Sequence, residues 1–188
     1  MTRHRHLLLL AAAAAFVLAG CETAPPPPPT TTTVPGVVRD LTFPVDGKVT
    51  FADTFGAPRS GGRTHQGTDL MGAKMTPLVA AADGTVTALR HDSTGLSGNS
   101  LTITDADDWQ YVYIHINNDT PGTDDGVNLF QYAFVPGLAK GSKVTAGQRI
   151  AFMGDSGNAE DAGSHLHFEL HQPDGTVINA YHSLLIVK

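Results

Sequence analysis

Residues 164–170, Ser-His-Leu-His-Phe-Glu-Leu, alternate polar and apolar side chains with a period of two, the pattern of a half-buried β-strand. His165, His167 and Glu169 therefore share one face, and Leu166, Phe168 and Leu170 share the other. The two imidazoles stand about 6.7 Å apart along the backbone. That spacing suits two ligands of one metal, or one ligand beside one acid–base group. A histidine pair in the core is the alternative, and it would need hydrogen-bond partners for both rings.

The strand pattern continues through the chain from Phe43 onward, with little that reads as a helix. Four hairpin units are expected. Leu78–Ala82 and Thr85–Arg90 flank Asp83-Gly84, and Asn99–Thr104 precedes Trp109–Ile116. The third unit covers Lys143–Met153 around Ala146-Gly147, and the fourth joins His165–Gln172 to Thr176–Tyr181 through Pro173-Asp174-Gly175. Short strands at this spacing predict an all-β fold, an antiparallel sandwich or barrel-like packing. A chain of 188 residues with 41% hydrophobic content can bury one core. Residues 79–86 and 144–150 carry a faint echo of one another, too short to establish a duplication.

Two further segments carry chemistry. In His65-Gln66-Gly67-Thr68-Asp69, a fully extended chain would hold His65 and Asp69 about 13 Å apart. That is slightly beyond the roughly 11–12 Å that two side chains bridge through a shared metal. The chain is therefore expected to bend at Gly67, whose absent side chain also leaves space beside an ion. The plain alternative is a turn with an exposed histidine and a capping aspartate. On Trp109–Ile116, period two groups Trp109, Tyr111, Tyr113 and His115 on one face, opposite Val112, Ile114 and Ile116.

Together these segments resemble the lysostaphin-type family of zinc endopeptidases that cut peptidoglycan peptides. The resemblance spans roughly residues 43–181 and lies in six pieces in the family's order: Phe55-Gly56-Ala57-Pro58-Arg59, His65-Gln66-Gly67-Thr68-Asp69, residues 79–86, Tyr113-Ile114-His115-Ile116, Gly154-Asp155-Ser156-Gly157 and Ser164–Glu169. It implies the antiparallel sandwich of that family, a duplicated hybrid motif. It also implies zinc ligation by His65, Asp69 and His167, with His115 and His165 as the catalytic histidines. Met75, Ala151 and Ser164 depart from the family's usual Gly, Gly and Pro, and none is an implied ligand. A catalytically silent wall-binding or amidase-activating protein on the same fold is the main alternative. Glu169 is expected to act outside the ligand set, and His91, His171 and His182 are expected on the surface. Gly154–Gly157 imitates the nucleophile loop of trypsin-like proteases, but no partner histidine segment accompanies it.

The N-terminus bears on location. Arg3, His4, Arg5 and His6 precede an apolar run from Leu7 to Ala19, shorter than the roughly 20 residues that span a bilayer. Residues 1–20 read as an export signal. Leu18-Ala19-Gly20-Cys21 resembles a bacterial lipobox, which implies cleavage before Cys21 and lipid attachment to its thiol. Residues 21–40, with Pro25–Pro29 and Thr30–Thr33, read as a semi-rigid spacer, and 41–188 as the peptidase domain. Removing the signal leaves ten basic against eighteen acidic residues, a charge of −8. That charge disfavours nucleic acid as a partner and offers no pull toward anionic lipid, so membrane attachment would rest on acyl chains. Finally, residues 117–137 are long for a hairpin connection. Their acidic tip and the aromatics Phe130, Tyr132 and Phe134 suggest a flap that walls a substrate groove.

Overall fold

The computed structural model describes residues 37–188. The expected signal, Cys21 and the spacer up to residue 36 lie outside the described residues. Strand β8 (His165–His171) is central to the architecture. On one side it pairs antiparallel with β1 (Thr68–Met71), and on the other with β5 (Gln110–Ile116). The sheet continues through β4 (Asn99–Thr104), β3 (Gly84–Arg90) and β6 (Lys143–Val144), while β9 (Val177–Ile178) pairs with β8. A second sheet holds β2 (Pro77–Val79) against β7 (Arg149–Phe152). Two short helices, α1 (Phe130–Ala133) and α2 (Tyr181–Val187), complete the described chain.

Alternation dictates which face is buried. Leu166, Phe168 and Leu170 of β8 are fully enclosed, alongside Tyr111 and Tyr113 of β5, Leu101 and Ile103 of β4, and Leu70 of β1. Burying each large apolar side chain stabilises the fold by about 1.5–3 kcal/mol. The phenol of Tyr113 links the two sheets, donating to Val79 O (3.0 Å) and accepting from Ala81 N (2.8 Å). Its hydroxyl is buried and fully paired, as a polar group in a core requires.

Of the four expected hairpins, β4–β5 and β8–β9 form, though β9 is short and the chain enters α2 at Tyr181. The other two do not. β2 and β3 lie in different sheets, as do β6 and β7; β3 pairs with β6, and β2 with β7. The Asp83-Gly84 and Ala146-Gly147 turns are corners that carry the chain from one sheet to the other, and they clasp each other through Ala80 N–Gln148 O (2.9 Å), Gly147 N–Ala80 O (2.8 Å) and Ala146 N–Asp83 Oδ1 (2.7 Å). Turn chemistry alone does not distinguish a hairpin from a corner. The two segments that echo each other in sequence are therefore paired in space. Met75, where the family usually has glycine, has φ +66°, in the region that costs a side chain about 1–2 kcal/mol.

Residues 117–137 do not form a groove wall. Phe134 is fully buried and stacks on Phe130, with ring centroids 5.2 Å apart, and Phe134 bridges to Ala151 of β7. The buried Asn117 donates Nδ2 to Asp119 O (2.7 Å) and Tyr132 O (3.1 Å). Phe130 packs against the core beside Phe134, while Tyr132 is half-buried.

Candidate metal centre

Three adjacent strands and one loop supply the site. Antiparallel register places Asp69 of β1 directly opposite His167 of β8, and Ile114 of β5 opposite His167 on the other side. His65 enters from the segment before β1. Gly67 lets that segment approach: a Cβ there would lie 2.6 Å from His167 Nε2, 2.8 Å from its Cε1 and 2.7 Å from Phe168 O. Its φ is not in the left-handed region, so close approach, and not backbone conformation, is what excludes a side chain.

His65 Nε2, Asp69 Oδ1 and His167 Nδ1 converge, with His65–Asp69 and His65–His167 at 3.0 Å and His167–Asp69 at 2.8 Å. A tetrahedral zinc with bonds near 2.0–2.1 Å separates its ligand atoms by roughly 3.3 Å. The outward nitrogens fix the tautomers that ligation needs. His65 Nδ1–H donates to Thr54 O (3.1 Å), which leaves the Nε2 lone pair facing the centre. His167 Nε2–H donates to Glu169 Oε1 (3.0 Å), which leaves Nδ1 facing it. Such outer partners orient ligands and raise their basicity. Burial opposes charge on His167, but the bonds to Asp69 and Glu169 outweigh it and push its pKa up to about 9. The same field that favours a proton on Nδ1 favours a metal cation in its place. Asp69 is held ionised against burial by His167 and His65, and Oδ2 accepts from Arg59 Nη2 (3.0 Å). Two imidazoles and a carboxylate form a three-residue donor set that fits a catalytic zinc with one position open.

Beside this triad stand His115 and His165, with ring centroids 4.8 Å apart. His115 is not where strict alternation puts it. Tyr111 and Tyr113 point into the core, and a bulge opposite Asn99/Ser100 pairs Ile114 with Ser100 and Ile116 with Asn99. The unpaired His115 takes φ +64°, which turns it onto the face of Ile114, lining the cleft. Bulges of this kind re-aim side chains next to functional sites. His115 Nδ1–H donates to Ser156 O (2.8 Å) and His165 Nδ1–H to Gly163 O (2.8 Å). Each ring therefore keeps a lone pair at Nε2. His165 Nε2 lies 3.8 Å from Asp69 Oδ1. Burial, reinforced by neighbouring His165, pushes His115 down to about 4, so it is neutral near pH 7.

All five histidine and aspartate positions line a cleft of about 780 Å³. One wall is the Arg59–Gln66 segment, and the other is formed by Leu96, Ser97, Asn158, Ala159 and Ala162. Glu169 stands one step out from the triad as expected. Burial works against its charge, yet His167 and His171 bring its pKa down to about 2. His171, expected on the surface, is half-buried and holds Glu169 Oε2 through Nε2 at 2.7 Å. His91 is exposed and packs edge-on to Phe130, and His182 is half-buried beside Tyr181. Ser156, in the segment that imitates a nucleophile loop, is fully buried and donates Oγ to Ile116 O (2.6 Å), a structural role.

The model of peptidase family M23 matches residues 63–180, which span β1 through β9 and include His65, Asp69, His115, His165 and His167. The chain belongs to peptidase family M23. Among its relatives, the murein hydrolase activator NlpD of Salmonella dublin is 34% identical over 128 residues, covering 68% of this chain and 27% of the relative. The peptidoglycan DD-endopeptidase ShyA of Vibrio cholerae serotype O1 is 29% identical over 133 residues, covering 68% and 26%. This M23 chain thus spans about a quarter of the length of these curated relatives. Among solved structures, a zinc-containing peptidase from Vibrio cholerae superposes with a TM-score of 0.55 at 26% identity, over 76% of this chain and 40% of that one.

Four contributors to this M23 site carried no assigned role in the sequence. Arg59 was legible only as part of a motif, and the backbone oxygens of Thr54, Ser156 and Gly163 have no sequence signature. Their effect arises from where the fold places them.

Proposed function

We propose that this chain is a zinc-dependent endopeptidase that hydrolyses peptide bonds in peptidoglycan stem or cross-link peptides. His65, Asp69 and His167 bind the metal, and His115 and His165 are the catalytic histidines. The observation that carries this reading is the convergence of the three ligand atoms within 3.0 Å beside two histidines whose tautomers leave Nε2 free in an open cleft. Bound zinc supplies a Lewis acid for the scissile carbonyl and lowers the pKa of water toward about 7.

The chain's own residues perform the proton transfers. Ser156 O and Gly163 O hold the two Nδ1–H groups, so Nε2 is the atom at which each ring gains or loses a proton. Neutral His115 accepts the proton of the attacking water at Nε2. The proton gained at His115 Nε2 is then delivered to the leaving amine as the peptide bond breaks, with the neighbouring His165 Nε2 lone pair beside it to relay that proton. Arg59 keeps Asp69 oriented through Oδ2. The cleft walls hold the peptide in line with these groups.

Residues 1–20 are proposed as an export signal, Cys21 as the lipidated residue, 21–40 as a spacer and 41–188 as the peptidase domain, which places the enzyme outside the cytoplasm on a bacterial membrane. Among the described residues, no helix is long and apolar enough to cross a membrane. A catalytically silent activator is the second reading, favoured by the similarity to NlpD. Both readings are separated by incubating the zinc-loaded protein with purified peptidoglycan, with and without a murein amidase, and reading released peptides by mass spectrometry. The enzyme reading expects peptides carrying one added water per cut bond without the amidase. Release only when the amidase is present overturns it in favour of the activator.

A further inference from the structure

Outside the residues that line the cleft, a second concentration of ligand groups surrounds Lys74. Lys74 Nζ contacts Asp119 Oδ2 (2.6 Å), Asp124 Oδ1 (2.8 Å) and Asp155 Oδ2 (2.9 Å), which uses all three of its hydrogens. Glu160 is the fourth carboxylate, and ligand oxygens of Asp119, Asp124 and Glu160 lie within 4.8 Å of one another. Four carboxylates against one ammonium leave a local charge of −3.

Two oxygens point to a cation beyond the lysine. Asp155 is 3% exposed, yet its Oδ1 has no hydrogen-bond partner among the described residues. Asn118, also 3% exposed, brings its amide into the same group by donating Nδ2 to Glu160 Oε2 (3.3 Å), and its Oδ1 likewise has no partner. Buried polar atoms of this kind ordinarily have one. The electrostatics agree: burial together with Asp119 and Asp124 raises the Asp155 carboxyl despite Lys74, and burial together with Asp155, Asp119 and Asp124 raises Glu160 despite Asn118. The single ammonium does not neutralise the group.

We propose that Asp119, Asp124 and Glu160, with the side-chain oxygen of Asn118, form a binding site for one calcium ion, separate from the histidine centre and bordered by the buried Asp155. The donors are all oxygen, with no imidazole or thiolate, which selects a hard cation. Oxygens bonded to one calcium at 2.3–2.6 Å lie at most about 5.2 Å apart, and ligand oxygens of Asp119, Asp124 and Glu160 lie within 4.8 Å of one another. Competition from Lys74 places the affinity in the weak range of extracellular calcium modules, a Kd of about 10⁻⁴–10⁻³ M. The bound ion joins Asp119 and Asp124, in the loop after β5, to Glu160, on the segment that also carries Ser156, the carbonyl partner of His115. Its effect is to fix the cleft wall that positions that histidine.

The test is calorimetric titration of calcium chloride into the zinc-loaded full chain, in wild type and in D124N, E160Q and D161N. Asp124, Glu160 and Asp161 are exposed, so these isosteric changes leave the core intact. The expected result is one saturable site, weakened about tenfold or more by D124N and by E160Q, unchanged by D161N, with zinc content constant throughout. No saturable binding up to about 10 mM calcium, tenfold above the weak end of that range, overturns the proposal. So does binding that survives both D124N and E160Q, or calcium uptake that displaces zinc.

Discussion

Alanine at position 67 is the smallest change that separates ligand geometry from ligand chemistry, because it removes no donor. Its Cβ would meet His167 Nε2 at 2.6 Å, His167 Cε1 at 2.8 Å and Phe168 O at 2.7 Å. Ordinary contacts of this kind begin at 3.4 Å, so something must move by roughly 0.6–0.8 Å. Phe168 O belongs to β8, whose pairing with both β1 and β5 resists displacement. The imidazole of His167 is the softer partner. Rotating it lengthens the Nε2–Glu169 bond and swings Nδ1 away from His65 and Asp69. Disturbing an outer partner of a metal-binding histidine typically costs 10–100-fold in affinity, or about 1.4–2.7 kcal/mol. The assay is zinc competition against a chelator of known affinity, with circular dichroism confirming the fold. Gly67→Ala is expected to bind zinc at least tenfold more weakly while keeping its β-sheet signal. Affinity within about twofold of wild type would refute the account of why glycine stands there.

Three further outcomes are expected. Glu169→Gln, which weakens the acceptor for His167 Nε2–H, lowers zinc affinity about tenfold by the same competition assay; unchanged affinity would make Glu169 a surface-charge residue only. Asp105 is held ionised against burial by Arg39, Tyr111 and the amides of Trp109 and Asp107. A carboxyl lowered in the folded state contributes stability that is present above its unfolded value of about 3.9 and lost as pH falls through the folded value. Asp105→Asn should therefore flatten the acid limb of a Tm-versus-pH curve below about pH 4, and parallel curves would contradict this. Cys21→Ser moves the protein from the membrane fraction to the soluble exported fraction if the thiol carries the anchor; an unchanged fraction counts against lipidation.

Much of the site was legible because strand alternation is local. The period of two in 164–170 placed His165, His167 and Glu169 opposite the buried Leu166, Phe168 and Leu170 without reference to any other segment. The same rule misplaced His115. Its side chain is aimed by a bulge whose cause is the register of β5 against β4, a nonlocal property. The Asp83-Gly84 and Ala146-Gly147 turns were visible, but their role as corners depends on which strands they deliver to which sheet. In 117–137 the acidic and aromatic composition suggested a flap. Burial of Phe134 and the side-chain bonds of Asn117 tie its ends to the core while residues 121–127 stay exposed, and such long-range partners leave no local pattern.

The central claim is that one set of residues holds zinc and a distinct pair carries out hydrolysis. Measuring zinc content and peptide release from peptidoglycan on the same preparations of wild type, His167→Ala and His115→Ala tests it directly. The account predicts one zinc and active release for wild type, neither for His167→Ala, and one zinc with release reduced by roughly 10²-fold or more for His115→Ala. Full zinc occupancy in His167→Ala, loss of zinc in His115→Ala, or undiminished cleavage by either variant would contradict it.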